Sequence, residues 1–286
     1  MNGLMRSVGY RDRTAALLTQ HGKEQVIGPV LEAALGCRVQ RVSGYDTDRL
    51  GTFTREIPRA GSQIEAARRK ARIGMTLSGL SLGLASEGSF GLEPMIGMFP
   101  WNVECLIWID DDRVLEIVGW AQGEAHFGQV LTGDWAKAST FTRRWRFPSH
   151  QMVIRPDAAN DPRIRKGLAA WAELESAFVS ARRESATGRV LLETDVRAHA
   201  NPTRQHVIRA AAENLAARLQ SACPACGAPG FWLVDRAPGL RCSDCGAPTR
   251  ETLAEILGCV KCPQRISRPC TDRSEADPSR CDSCNP

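Results

Sequence analysis

The sequence predicts an α/β protein: a mixed central sheet flanked by helices over residues 1–220, followed by a cysteine-rich, zinc-ribbon-like module over residues 221–286. Three observations predict it. Segments of period two alternate with segments of period 3.6 along the first part of the chain. Nine of the eleven cysteines fall after residue 222. A hydrophobic content of 43% beside 24% charged residues excludes a disordered chain and gives enough apolar length for a core that needs no metal to hold it.

Taken in order, Ala15-Ala16-Leu17-Leu18 reads as a first strand, broken by Thr19-Gln20-His21-Gly22-Lys23. A helix follows with Val26, Ile27, Val30, Leu31 and Ala34 on one stripe and Gly36 as its stop. Arg38–Val42 alternates like a strand, Ser62–Ser78 has the helical period, and Leu80–Ala85 is strand-like, ending at Ser86-Glu87-Gly88. Val103–Ile109 and Val114–Val118, joined by Asp110-Asp111-Asp112-Arg113, predict a hairpin. Further on, helices are expected at Trp135–Arg144 and Ile164–Ser180, and strands at Met152–Ile154 and Val190–Val196. Asn201-Pro202 supplies a cap and first-turn proline for a helix with Ile208, Ala211, Leu215 and Leu219 on its stripe.

The cysteines of the tail fall into four CxxC pairs: Cys223 and Cys226, Cys242 and Cys245, Cys259 and Cys262, Cys281 and Cys284. In each pair two intervening residues let both sulfurs face one tetrahedral ion, so the eight residues predict two structural zinc ions with every coordination position filled by thiolate. Sequential pairing is the simplest arrangement; an interleaved one, first with third and second with fourth, uses the same residues. Cys270 is a spare thiol or a substitute ligand, and Cys37 and Cys105 read as core residues. From residue 209 onward ten Lys and Arg face nine Asp and Glu. Each thiolate-bound zinc adds about two negative charges, which argues against nucleic-acid binding by the tail.

The formal net charge of +5 names no partner. No run reaches the roughly 18 apolar residues of a membrane span, and the start lacks an apolar signal segment, so the expectation is a cytoplasmic protein without a membrane partner. Its oligomeric state is left open.

Polar residues gather where strands should end, the place where open α/β sheets hold ligands. Thr19, His21, Gly22 and Lys23 occupy the first strand-to-helix turn, where a helix start and a lysine favour an anion. Glu56 precedes the helix carrying Glu65 and Lys70, and Ser86 and Glu87 end a strand. In order and residue type these elements resemble the inosine-triphosphate pyrophosphatase fold over residues 14–125. The turn running into Lys23, the segment Ile64-Glu65-Ala66-Ala67-Arg68-Arg69-Lys70-Ala71 and Ser86-Glu87-Gly88 carry the likeness. The resemblance implies release of pyrophosphate from a nucleoside triphosphate or related phosphate compound. Mg²⁺ or Mn²⁺ would be held by carboxylates among Glu56, Glu65 and Glu87, which also supply the candidate general base, while Lys23 and Lys70 would bind phosphate. His21-Gly22 stands where that fold has Asn, and Glu87 where it has Asp.

A second polar run covers Glu193–Arg204. If the strand continues through it, Asp195, Arg197 and His199 share one face, with Arg204 in the next helical turn. The run reads as a phosphate or base clamp of Arg197, His199 and Arg204, or as an Asp195–Arg197 structural pair beside an ordinary cap. With the four CxxC pairs and the Cys-Asn-Pro end, it also resembles a bacterial family of unknown function marked by a TDxRAHxNPTR-like motif. Phe141-Thr142-Arg143-Arg144-Trp145-Arg146 reads first as a solvated helix end with a core aromatic, and second as a surface that stacks bases. Besides the hydrolase, the sequence admits a non-enzymatic zinc-ribbon protein that binds nucleic acid or protein.

Overall fold

The computed structural model describes residues 9–47, 61–270 and 273–286. The chain divides into two compact units, Arg11–Ala216 and a smaller one of Ala217–Pro286 with the start of the chain.

The larger unit begins with β1 (Thr14–Leu18), α1 (Glu24–Leu35), β2 (Arg38–Val42), α2 (Gln63–Ser78), β3 (Leu82–Leu92), β4 (Pro100–Asp110) and β5 (Leu115–Glu124). Their strands form one mixed sheet in the order β2-β1-β3-β4-β5. β1 pairs parallel with β2 and with β3, and the β3-β4-β5 meander is antiparallel. Because β2 lies on one side of β1 and β3 on the other, the strand order reverses at β1, where open α/β sheets leave a crevice beyond the strands' carboxyl ends.

Both faces of this sheet are covered. The alanine side of α2 (Ala67, Ala71 and Met75) packs on Ala85, Cys105, Ile107 and Ile109. Burial pushes the Cys105 thiol up to about 12 and that of Cys37 to about 11, so both are inert core residues. On the opposite face Gly28 of α1 lies against Val39, and α5 (Pro202–Gln220) meets β5 so closely that a Cβ on Gly119 would collide with the backbone of Leu215.

The remaining elements are β6 (Gln129–Thr132), α3 (Trp135–Arg144), β7 (Met152–Pro156), β8 (Arg165–Leu168), α4 (Trp171–Glu184) and β9 (Val190–Thr194). They build a second, antiparallel sheet, β6-β9-β7-β8, with α3 and α4 packed on it through Ala138, Leu174, Phe178, Met152 and Leu192. The two sheets share the α/β unit, and the second one was not separated by sequence pattern.

Three expectations are corrected. β3 does not stop at Ser86-Glu87: β4 pairs with it as far as Leu92, which keeps it extended after β1 has ended. The helix expected from Ile164 is β8 followed by α4, because Arg165–Leu168 pairs with β7 and the helix starts only at Trp171. β9 ends at Thr194, so Asp195, Arg197 and His199 do not share a strand face; Ala198–Ala200 forms a single 3₁₀ turn.

In the smaller unit β10 (Trp232–Pro238), β11 (Thr252–Gly258) and β12 (Arg265–Pro269) form an antiparallel sheet, with the cysteine pairs in the flanking turns. No described helix is long and apolar enough to cross a membrane.

Candidate functional site

β1 ends at Leu18 while β3 runs on, so the edge of β3 from Ser86 onward is left open beside the turn that enters α1. Charged side chains reach this edge from both faces. Lys23 caps α1 and is buried; its Nζ donates to the Ser86 carbonyl at 2.8 Å and to Ser86 Oγ at 3.2 Å. Ser86 Oγ in turn donates to Glu104 Oε2 at 3.4 Å. Arg204 Nε donates to Glu104 Oε1 at 2.7 Å, Asn102 Nδ2 donates to the same oxygen at 3.2 Å, and Arg204 Nη1 donates to the Val196 carbonyl at 2.6 Å. Gly88 lies under this pair, and a Cβ there would strike the Glu104 carboxylate and the Arg204 guanidinium. From the α2 side Lys70 forms an ion pair with Glu87. Gln63 Nε2 straps the two strands by donating to the carbonyls of Glu87 at 2.6 Å and Val103 at 2.9 Å.

Three cations and two carboxylates thus lie along one stretch of the β3–β4 ladder, Lys23, Glu104 and Arg204 on one face and Lys70 with Glu87 on the other. Burial, and next the Arg204 charge, bring the Lys23 ammonium down to about 8, against the opposing pull of Glu104 and Glu87. The group is charged at neutral pH and close to its titration.

The second polar run arrives at the same place from the loop after β9. The His199 ring lies 5.5 Å from that of His21, and its Cβ covers Gly22 in the first turn. Burial, then Arg197 and His21, lower the His199 pKa. Asp195 and Arg197 bind each other, with Arg197 Nη2 donating to Asp195 Oδ2 at 2.6 Å and Nε to Oδ1 at 3.0 Å. Asn201 caps α5 by accepting from Arg204 N at 2.9 Å, which places Arg204 in the first turn and turns its side chain toward Glu104. Thr19 is buried at the end of β1. Glu65 forms a capping box with Ser62 at the start of α2, its carboxylate accepting from Ser62 N at 2.6 Å. Glu56 lies outside the described residues.

Glu104, Asn102 and Gln63 are the members that sequence reasoning missed. A signal existed for Glu104: it is a lone charge in the apolar strand Val103-Glu104-Cys105-Leu106-Ile107, and it is fully buried.

The tail places its chemistry differently. The antiparallel β10–β11 hairpin puts the turns holding Cys223, Cys226, Cys259 and Cys262 at one end, because Trp232 faces Gly258. Cys242 and Cys245 lie in the loop at the other end. There β12 finishes opposite Ala254, and the following chain brings Cys281 and Cys284. The pairing is therefore interleaved, in place of the sequential one that is simplest on spacing. Within each tetrad all ligand atoms lie within 4.8 Å of one another. Sulfurs are 3.7 Å apart for Cys223 and Cys262, 3.6 Å for Cys226 and Cys259, 3.8 Å for Cys242 and Cys284, and 3.6 Å for Cys245 and Cys281. A tetrahedron with zinc–sulfur bonds of about 2.3 Å has an edge of about 3.8 Å, so each tetrad can hold a structural zinc. Burial opposes ionisation at Cys259, but N–H groups of Lys261 and Cys262 carry its thiol down to about 7; those of Ser283 and Cys284 do the same for Cys281. Gly227 and Gly246 take left-handed backbone at φ +71° and +69° just after their pairs. Among the described residues these tetrads are the only groups of three or more Cys, His, Asp or Glu placed to share an ion.

Fold and sites define an α/β protein with a double zinc-ribbon-like module. Residues 70–286 match the model of a domain of unknown function, DUF6671, and the chain belongs to that family. A comparison with curated proteins gives no match.

Proposed function

We propose that the α/β unit binds the phosphates of a nucleoside triphosphate or related phosphate compound beyond the carboxyl end of β1, along the open edge of β3, and hydrolyses it with release of pyrophosphate. The observation that carries this reading is the gathering of Lys23 and Arg204 on one face of β3, and of Lys70 and Glu87 on the other, next to the strand at which the order reverses. Lys23 and Arg204 neutralise phosphate oxygens from one face of the sheet and Lys70 from the other. Thr19, His21 and Gly22 shape the turn that enters α1, and the start of a helix favours an anion there. His199, held over Gly22, is a neutral donor or acceptor for the substrate, and the Asp195–Arg197 pair fixes the loop that carries it. Glu104 and Ser86 keep the Arg204 and Lys23 side chains in place. When bound, Mg²⁺ or Mn²⁺ would be held by Glu87 and would supply neutralisation of phosphate charge and acidification of a water. Once Lys70 engages phosphate in place of Glu87, that carboxylate is released to accept a proton or a ligand.

The test is pyrophosphate release by the zinc-loaded full chain across a panel of standard and damaged nucleoside triphosphates with Mg²⁺ or Mn²⁺. Turnover that is lost in Glu87→Gln supports the reading, and no turnover on any member sinks it. A second reading, a non-enzymatic protein that works through its zinc module, is favoured by the burial of Arg204 and Glu104 at 2% and 0% exposure.

A further inference from the structure

The outer surface of α3 and α4 carries cations that form no ion pair among the described residues. The two helices lie antiparallel on the second sheet. Trp135, at the start of α3, meets Phe178 of α4 with ring centroids 5.3 Å apart, and Arg143, near the end of α3, lies 4.6 Å from the centroid of the Trp171 ring that opens α4. Lys137, Thr140, Phe141 and Arg144 recur at helical spacing and line a shallow cleft of about 440 Å³. Trp135, Val179, Arg182 and Arg183 line a neighbouring cleft of about 380 Å³. Lys137, Arg144, Arg182 and Arg183 are all exposed, and none of them forms an ion pair among the described residues. Glu175, in the second cleft, is the one carboxylate in either lining among the described residues.

Several arginines elsewhere in the chain are neutralised by carboxylates. Arg163 pairs with Asp161 and Arg165 with Glu184, and in the tail Arg250, Arg268 and Arg280 pair with Asp282, Glu255 and Glu251. Unpaired cations interleaved with partly exposed aromatic rings are what a single-stranded nucleic acid requires: charge along the backbone and flat apolar surfaces for unstacked bases. A folded acidic protein would match the charge but not the rings set between the cations.

We propose that the α3–α4 face binds single-stranded nucleic acid, with phosphates on Lys137, Arg144, Arg182 and Arg183 and bases against Phe141 and Trp135. This site is separate from the β1–β3 crevice and does not depend on the hydrolase reading. It also relocates the nucleic-acid contact, which the near-neutral tail is poorly suited to make.

The experiment measures binding of the zinc-loaded full chain to fluorescent 15-nucleotide oligo-U and oligo-dT between about 50 and 300 mM salt, with a duplex of equal length and polyglutamate as competitors. Lys137→Gln/Arg144→Gln and Arg182→Gln/Arg183→Gln are compared with the wild type after thermal unfolding confirms that each variant folds. Each pair should weaken binding about tenfold and lower the salt slope by about 1.4, since each lost single-strand contact removes about 0.7. A preference for oligo-U or oligo-dT names the natural strand. The proposal is overturned by absence of binding at 50 mM salt, by unchanged affinity in both folded variants, or by equal competition from polyglutamate or duplex.

Discussion

The two candidate sites are assembled in opposite ways. In the tail, each half of a metal site is a CxxC pair that the backbone makes locally, and only the joining of halves depends on the fold. In the α/β unit each charged member of the cluster comes from a different element, and its partners are distant in sequence: Lys23 and Ser86 are 63 residues apart and Glu104 and Arg204 are 100 apart. Local spacing therefore names the chemistry of the tail but not its pairing, whereas in the α/β unit the chemistry itself exists only after the sheet has formed. The two also differ in what they resist. Thiolates and zinc satisfy one another, whereas buried cations and carboxylates must be matched across the core.

The largest effect should come from breaking the tail. Stripping metal with a strong chelator should unfold the β10–β12 module, because four-thiolate zinc contributes on the order of 10–16 kcal/mol in small zinc domains. The pairing can be read separately in Cys223→Ser. Interleaved tetrads require that Cys226, Cys259 and Cys262 become reactive to alkylation, while Cys242, Cys245, Cys281 and Cys284 stay protected and the metal content falls by one ion. Exposure of Cys242 and Cys245 instead, seen by mass spectrometry of the labelled peptides, would restore the sequential arrangement.

Next in size is the Glu104–Arg204 pair. Glu104→Leu leaves Arg204 and Lys23 buried without their shared carboxylate, and breaking such a pair costs about 3–5 kcal/mol in unfolding stability. The double variant Glu104→Leu/Arg204→Met removes both charges and should recover most of that loss in urea unfolding, while losing any phosphate affinity. If the double variant costs the sum of the two single ones, the residues are not coupled and the cluster is not one network.

How far the sequence could be read follows from the same contrast. Arg38–Val42, Trp135–Arg144 and, to within one residue, the helix at Ser62–Ser78 appear where periodicity places them, because local signals decide them. The second half of β3 carries no strand pattern because Ser86-Glu87-Gly88-Ser89 is polar and small; it is held extended by β4, a partner that local pattern does not reveal. Arg165–Leu168 likewise carries no strand signal of its own, since its strand character comes from pairing with β7. Thr19, Lys23, Lys70, Glu87 and Arg204 were legible one by one as polar residues at element ends. Glu104 shows in the sequence only as a lone charge in an apolar strand; its role is set by Arg204, which reaches it only once α5 lies on the sheet.

The smallest effect expected is a pH dependence centred on Lys23. Its folded pKa of about 8 lies below the ordinary 10.5, so between those values the unfolded chain binds more protons than the native one. Holding Lys23 charged therefore costs stability below about pH 8, and the native state gains as pH rises from about 8 toward 10.5. Anion binding must run the other way, because it needs the ammonium. Sulfate keeps its charge over this range and so reports Lys23 rather than itself. Its affinity, measured by the sulfate-induced rise in unfolding temperature, should fall by up to about tenfold between pH 7.5 and 9, as one group loses its proton. In Lys23→Met the dependence should vanish along with most of the binding. A wild-type profile that stays flat to pH 9 would mean that Lys23 keeps its proton throughout that range, and the crevice between β1 and β3 would then lose its claim to a tuned cation.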